Sequence, residues 1–143
     1  MFSNSSKYAI KAVLYLALNS DEEHKIMVKD IAEPVNVPQA YIAKLLQELS
    51  RQKLISSTKG PKGGFFLSEK DKSQPLKKII HVLDGENRLT SCLLSLESCN
   101  DDKPCPLHEM AAPLRKMLLD SLENKSISEL ANDVKEGRAY LPL

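Results

Sequence analysis

Three thiols and one imidazole crowd into a short stretch of this 143-residue chain. Cys92, Cys99, Cys105 and His108 follow the spacing C-x6-C-x5-C-x2-H. Soft thiolates with an imidazole are a donor set for zinc or for an iron–sulfur cluster. Pro104 and Pro106 flank Cys105 and stiffen the chain there. His108 falls about one helical turn beyond Cys105, where a helix is expected to begin, so its ring can point back at the same centre. The same residues also suit blander roles: cysteines packed as small hydrophobes, thiols that meet oxidants without a metal, or a histidine that only caps or packs. Clustering in a loop weighs against the first, because loops bury little surface. A Cys-Cys-Cys-His zinc finger that stacks RNA bases would need aromatic side chains, and none occurs between Asp84 and Met110. His24 and His81 lack companions at metal-ligand spacing. Asp101 and Asp102 read as solvating the cysteine loop. No Ser-His-Asp or paired-carboxylate arrangement stands out, so the chain is not expected to be an enzyme.

A second constellation is basic. Between Asn36 and Gly64 the residues Lys44, Arg51, Lys53, Lys59 and Lys62 face a single acid, Glu48. The whole chain carries a net charge of only +1. The basic residues are therefore concentrated, as on a local anion-binding surface. Apolar residues at 42% and charged residues at 27% exclude disorder as the main state. The longest apolar run, Ala12 to Leu18, is far short of the roughly 20 residues of a membrane span. Met1 to Lys7 lacks the hydrophobic core of a signal peptide, so a cytoplasmic location is expected. With 5% aromatic residues and no Trp, a stacking platform for single strands is not expected.

The elements that must position these residues are mainly helical. Lys7 to Asn19 reads as a core helix capped by Ser5 or Ser6. A short helix over Val28–Glu33 stops ahead of Pro34, and another starts near Pro38. In Pro38–Gln52 an apolar stripe of Ile42, Leu45, Leu46 and Leu49 opposes a polar, basic face of Ala40, Lys44, Gln47 and Arg51, with no acid on it. Leu54–Lys59 and Phe65–Leu67 read as two strands around the turn Gly60-Pro61-Lys62-Gly63-Gly64. Leu76–Leu83 is helical; Arg88–Pro106 shows no period. Helix returns over Leu107–Asn124, with Pro113 imposing a kink or a later start. Ser126–Glu129 is a capping box for a last helix through Val134.

A short helix, a Pro/Asn turn, a helix with a basic outer face and a Gly-rich hairpin make a winged helix-turn-helix. Its second helix would enter the major groove of double-stranded DNA. The candidate DNA contacts are Gln39, Tyr41, Lys44, Gln47 and Arg51 on that helix, with Lys59 and Lys62 on the wing.

Ser6-Lys7-Tyr8-Ala9, Asp30-Ile31-Ala32, Tyr41, Gly60-Pro61-Lys62-Gly63-Gly64-Phe65 and the Cys92/Cys99/Cys105 cluster together resemble the IscR/NsrR (Rrf-two) family of bacterial transcription regulators. The resemblance runs from about Phe2 to Val134. It implies a homodimer built on the long C-terminal helix, with one winged helix per subunit on a near-palindromic operator. It also implies an iron–sulfur cluster on the three cysteines, [2Fe-2S] in preference to [4Fe-4S], with His108 as fourth ligand. The nitric-oxide-sensing branch instead uses a carboxylate early in the first helix, where this chain has Lys7 and Tyr8. The first cysteine gap is one residue longer than is usual in the IscR-like branch.

The sequence thus predicts a mainly α fold with a β-hairpin wing. Residues 1–84 would form the DNA-binding domain, 85–106 the cysteine-rich sensor loop, and 107–143 the dimerisation helix and tail. The expected function is a transcriptional regulator sensing redox, nitric oxide or iron–sulfur status. Two alternatives stand beside it: a metal-free thiol regulator and a zinc-stabilised winged-helix interaction module.

Overall fold

A computed structural model describes residues 2–94 and 97–143. Met1 and residues 95 and 96 of the expected sensor loop lie outside the described residues. Helix α1 (Asn4–Asn19) is central, burying Ala9, Ala12, Val13, Leu14 and Leu16 against the helices described below. It starts three residues before the expected Lys7. Ser3, not Ser5 or Ser6, is its N-cap, with its hydroxyl accepting from the Ser6 N–H. Ser3 is in turn held from far along the chain. Its N–H donates to Asp84 Oδ2 at 3.1 Å and its hydroxyl donates to Asp84 Oδ1.

Burial pushes the Asp84 carboxyl upward, but the Ser3 hydroxyl and N–H, Ser6 and the charge of Arg88 outweigh it and hold the group below the usual aspartate range. A carboxyl depressed in the folded state stabilises above its unfolded pKa and loses that contribution as pH falls through the folded value. Asp84→Asn is therefore expected to cost about 1–2 kcal/mol at neutral pH. In urea titrations the gap to the parent should close once the parent's carboxyl is protonated. A gap independent of pH would refute the carboxylate's role.

Helices α2 (Val28–Val35) and α3 (Gln39–Arg51) follow. α2 runs two residues beyond the expected Glu33, through Pro34. Near a helix end proline forfeits only one backbone hydrogen bond. The helix instead stops at Asn36, whose left-handed backbone (φ 56°) turns its N–H back to the Ala32 and Glu33 carbonyls. Pro38 caps α3, and Ile42, Leu45, Leu46 and Leu49 are buried as their spacing predicts.

The wing is smaller than expected. β1 (Ser56–Thr58) pairs antiparallel with β2 (Gly64–Phe66), matching Ser56 with Phe66 and Thr58 with Gly64. Leu54 and Ile55 sit in the core ahead of the strand, because burial claims them first. Phe65 also bridges Ile26, with N···O distances of 2.9 and 2.8 Å. Two of the three wing glycines permit close approach: a Cβ on Gly63 would lie 2.3 Å from the Thr58 carbonyl, and one on Gly64 2.6 Å from that of Ile26.

The short α4 (Glu69–Lys72) was not expected. Ser68 and Asp71 form its capping box, and Asp71 is buried. Its carboxylate also accepts from the Ser56 hydroxyl at 2.7 Å, tying the base of the wing to α4. α5 (Lys77–Asp84) buries Ile79 and Ile80, and a 3-10 turn over Glu86–Leu89 buries Leu89. α6 (His108–Asn124) begins one residue after Leu107 and carries Pro113 inside it. α7 (Ile127–Lys135) has the expected Ser126/Glu129 capping box. Among the described residues no helix is long and apolar enough to cross a membrane.

Candidate nucleic-acid interface and metal centre

α3 turns Gln39, Lys44, Gln47 and Arg51 to solvent, opposite its buried stripe. Arg51 pairs with Glu48 on the same helix, which corrects the expected acid-free face at its C-terminal end. One turn of helix places i and i+3 side chains together. Tyr41 is only 37% exposed. Its ring stands edge-on to Tyr8 at 6.0 Å, and its hydroxyl shares a hydrogen bond with the Ser5 hydroxyl at 2.7 Å. Tyr41 therefore fixes the start of α3 against α1 while showing part of its ring outward. At the other end of α3, Ser50 and Ser57 share a 2.9 Å hydroxyl contact that joins helix to wing. Lys59 and Lys62 are exposed at the wing tip. Lys25 lies over the Phe66 ring, 5.5 Å from its centroid.

Among the described residues, hydrogen bonds tie the cysteine loop together although its sequence shows no period. Ser91 and Ser98 form an antiparallel bridge. The Cys92 N–H donates to the Glu97 carbonyl at 3.0 Å and the Cys99 N–H to that of Thr90 at 3.2 Å. The Asn100 side chain accepts from the N–H groups of Asp102 and Lys103, turning the chain toward Cys105. The His108 N–H donates to the Cys105 carbonyl at 2.9 Å.

All three cysteines are half-buried, and the four candidate ligands meet in two pairs. Cys92 Sγ and Cys105 Sγ are 3.7 Å apart; Cys99 Sγ is 3.1 Å from His108 Nδ1. Two thiolates on one tetrahedral metal, with bonds of about 2.3 Å, stand roughly 3.8 Å apart. The Cys92/Cys105 pair fits that edge. The Cys99/His108 pair is slightly closer, at a thiol–imidazole hydrogen-bond distance. Among the described residues no three His, Cys, Asp or Glu side chains surround one point, as a single four-ligand zinc ion would require. A group with two metal atoms would draw two ligands on each from such pairs. On its other side, His108 Nε2 lies 3.3 Å from Asp101 Oδ1. Asp101 is itself exposed, so the contact is that of a solvated carboxylate beside the ring.

The sequence did not single out Ser3, Asp71 or Asp84, and it offered Ser5 only as a cap; all four position the elements described above. Only the Ser68-x-x-Asp71 box had a local signature; the others act through contacts distant in sequence.

α6 buries only Leu122 and leaves Met110, Leu114 and Met117 exposed at 70%, 68% and 68%. Spaced i, i+4, i+7, they form one stripe. Beside it runs a groove of about 810 Å³ lined by Leu89, Leu93, Leu107, Met110, Leu114 and Leu118. Arg88, Ser91 and Arg115 also line it.

Comparison with known proteins matches residues 2–133 to the Rrf2 family, described as an iron-dependent transcriptional regulator. An HTH-type transcriptional regulator of Aquifex aeolicus is 32% identical over 134 residues, covering 92% of each chain. The transcriptional regulator IscR of Pectobacterium atrosepticum is 28% identical over 131 residues, 92% of this chain and 79% of that one. The crystal structure of the oxidised form of Staphylococcus aureus CymR superposes with a TM-score of 0.68 at 25% identity, covering 92% of this chain and 95% of that one.

Proposed function

The chain belongs to the Rrf2 family of transcriptional regulators, whose members bind DNA and are not enzymes, and on that premise we propose a homodimeric regulator with an iron–sulfur sensor. Cys92, Cys99, Cys105 and His108 hold the cluster, [2Fe-2S] in preference to [4Fe-4S]. Residues 1–84 bind a near-palindromic operator, 85–106 form the sensor loop, and 107–143 join the two copies. The observation that carries the reading is the arrangement of four soft donors in two pairs. When bound, the cluster supplies an electron-accepting group whose presence and oxidation state report redox or iron–sulfur status. Gln39, Lys44 and Gln47 approach the bases, and Tyr41 and Arg51 flank them. Lys59 and Lys62 approach the phosphates.

A chain of contacts links the loop to the DNA face. Asp84, at the base of the loop, holds Ser3; two residues on, Ser5 holds Tyr41 at the start of the recognition helix. A shift at Asp84 is thereby passed to α3. A coupling of about 1–3 kcal/mol is enough to switch operator affinity.

The test is anaerobic purification followed by absorbance, iron, sulfide and zinc analysis. Bands between roughly 320 and 460 nm with near-equimolar iron and sulfide are expected, and His108→Ala should bleach or shift them. A chain that stays colourless after anaerobic reconstitution would remove the sensor. A second reading, a thiol-based regulator without metal, is favoured by the Cys92–Cys105 sulfur contact. It predicts operator binding that is unchanged by metal and altered by oxidants.

A further inference from the structure

We propose that Cys92 and Cys105 are a disulfide-forming pair: in the metal-free chain a hydroperoxide joins them and leaves Cys99 a thiol. Their sulfurs are 3.7 Å apart, so bond formation requires an approach of less than 2 Å, to about 2.05 Å. Both side chains are half-buried, shielded from large reagents and open to a small oxidant. Cys99 has a different neighbour, the His108 imidazole at 3.1 Å. The local backbone holds both partners. The Cys92 N–H is bonded to Glu97, and Cys105 sits between Pro104 and Pro106 with its carbonyl bonded to His108. Only a short loop separates the two cysteines, so closing it carries a small entropic cost.

The chemistry balances in two steps. One thiolate attacks the peroxide, the O–O bond breaks, and sulfenic acid and water (or an alcohol) form. The second thiol's sulfur then attacks the sulfenic sulfur. The S–O bond breaks, and hydroxide leaves as water with the thiol's proton. The pair loses two electrons and the peroxide gains them. In a glutathione-buffered compartment such a bond is reversible rather than structural. The bond itself is independent of the cluster reading. Its consequence rests on that reading: it removes two of the three thiolate donors, so an oxidised chain cannot load a cluster until it is reduced.

The test uses the full metal-free chain, reduced and then treated with stoichiometric hydrogen peroxide. Remaining thiols are alkylated, and the chain is cleaved after Glu97 and before Asp101 and Asp102, which separates all three cysteines. Mass spectrometry should find the Cys92 fragment joined to the Cys105 fragment and Cys99 alkylated, with reactive thiols falling from three to one. Cys99→Ser should form the same bond, and Cys105→Ser should form none. A bridge involving Cys99, a bridge between chains, a sulfinic acid, or three alkylated cysteines would each overturn the proposal. Cluster uptake is measured in parallel on the reduced and peroxide-treated chains. Failure of the reduced chain to load a cluster counts against the sensor reading alone. Undiminished loading of a chain shown to carry the Cys92–Cys105 bond counts against the consequence.

Discussion

Leu114→Glu is expected to yield a folded monomer that binds its operator about 10²- to 10⁴-fold more weakly than the parent. Leu114 lies in the middle of the α6 stripe, between Met110 and Met117, and is 68% exposed. A charge there costs the isolated subunit little, because water already covers the position. Buried without a partner between two copies of the helix, the same carboxylate would cost several kcal/mol. The loss in DNA affinity follows from tethering. A dimer that has engaged one half-site meets the second at high effective concentration, a gain of about 10²–10⁴ that a monomer lacks. Sedimentation velocity gives the assembly state, and operator titration gives the affinity. Leu122→Glu is the contrast: Leu122 is buried in the subunit core, so that variant should fail to fold. A Leu114→Glu chain that remains dimeric would place the interface elsewhere.

The second large effect separates base reading from phosphate binding. Lys44 projects from the outer face of α3, whereas Lys62 sits at the wing tip. Lys44→Ala should weaken binding to the operator by about 1–3 kcal/mol, roughly 5- to 150-fold, and reduce the preference for operator over unrelated DNA. Lys62→Ala should weaken all sequences alike and lower the slope of log K against log salt by about 0.9, the signature of one released phosphate contact. Titrations at several salt concentrations on specific and non-specific duplexes distinguish the two. If both variants bind as the parent does near 150 mM salt, about the physiological level, the basic face is not the DNA surface. Arg51 is a weaker target, since Glu48 already occupies its guanidinium.

Where local pattern is strong, sequence and structure agree. The Ile42/Leu45/Leu46/Leu49 stripe, the Gly-rich wing turn, the Ser126 capping box and the cysteine cluster were legible because each depends on residues within a few positions of one another. Expectations slipped where a distant group intervened. α1 was expected to begin at Lys7 because its apolar pattern begins there. Ser3 extends it because Asp84, remote in sequence, holds that serine. Leu54 and Ile55 open a run that reads as a strand, yet the core takes both before the ladder starts. α4 was missed although its capping box is written in the sequence: a helix of one turn has no periodicity to detect.

The amino-acid pattern alone carried the order of the longer helices and the wing hairpin, the buried stripe of α3, the glycines of the wing turn and the clustering of three thiols with an imidazole. These follow from residue type and short-range spacing, which hold whatever the rest of the chain does. How these four side chains pair, Cys92 with Cys105 and Cys99 with His108, emerges only from the folded chain. The same holds for Asp101 lying 3.3 Å from the imidazole and for Ser3, Asp84, Ser5 and Tyr41, which join the end of α5 to the start of α3. The α6 stripe has the spacing of a core stripe, and only the fold leaves it facing water. Hydrogen bonds and burial depend on which surfaces meet in space, and residues far apart in the chain meet only when the whole core has packed.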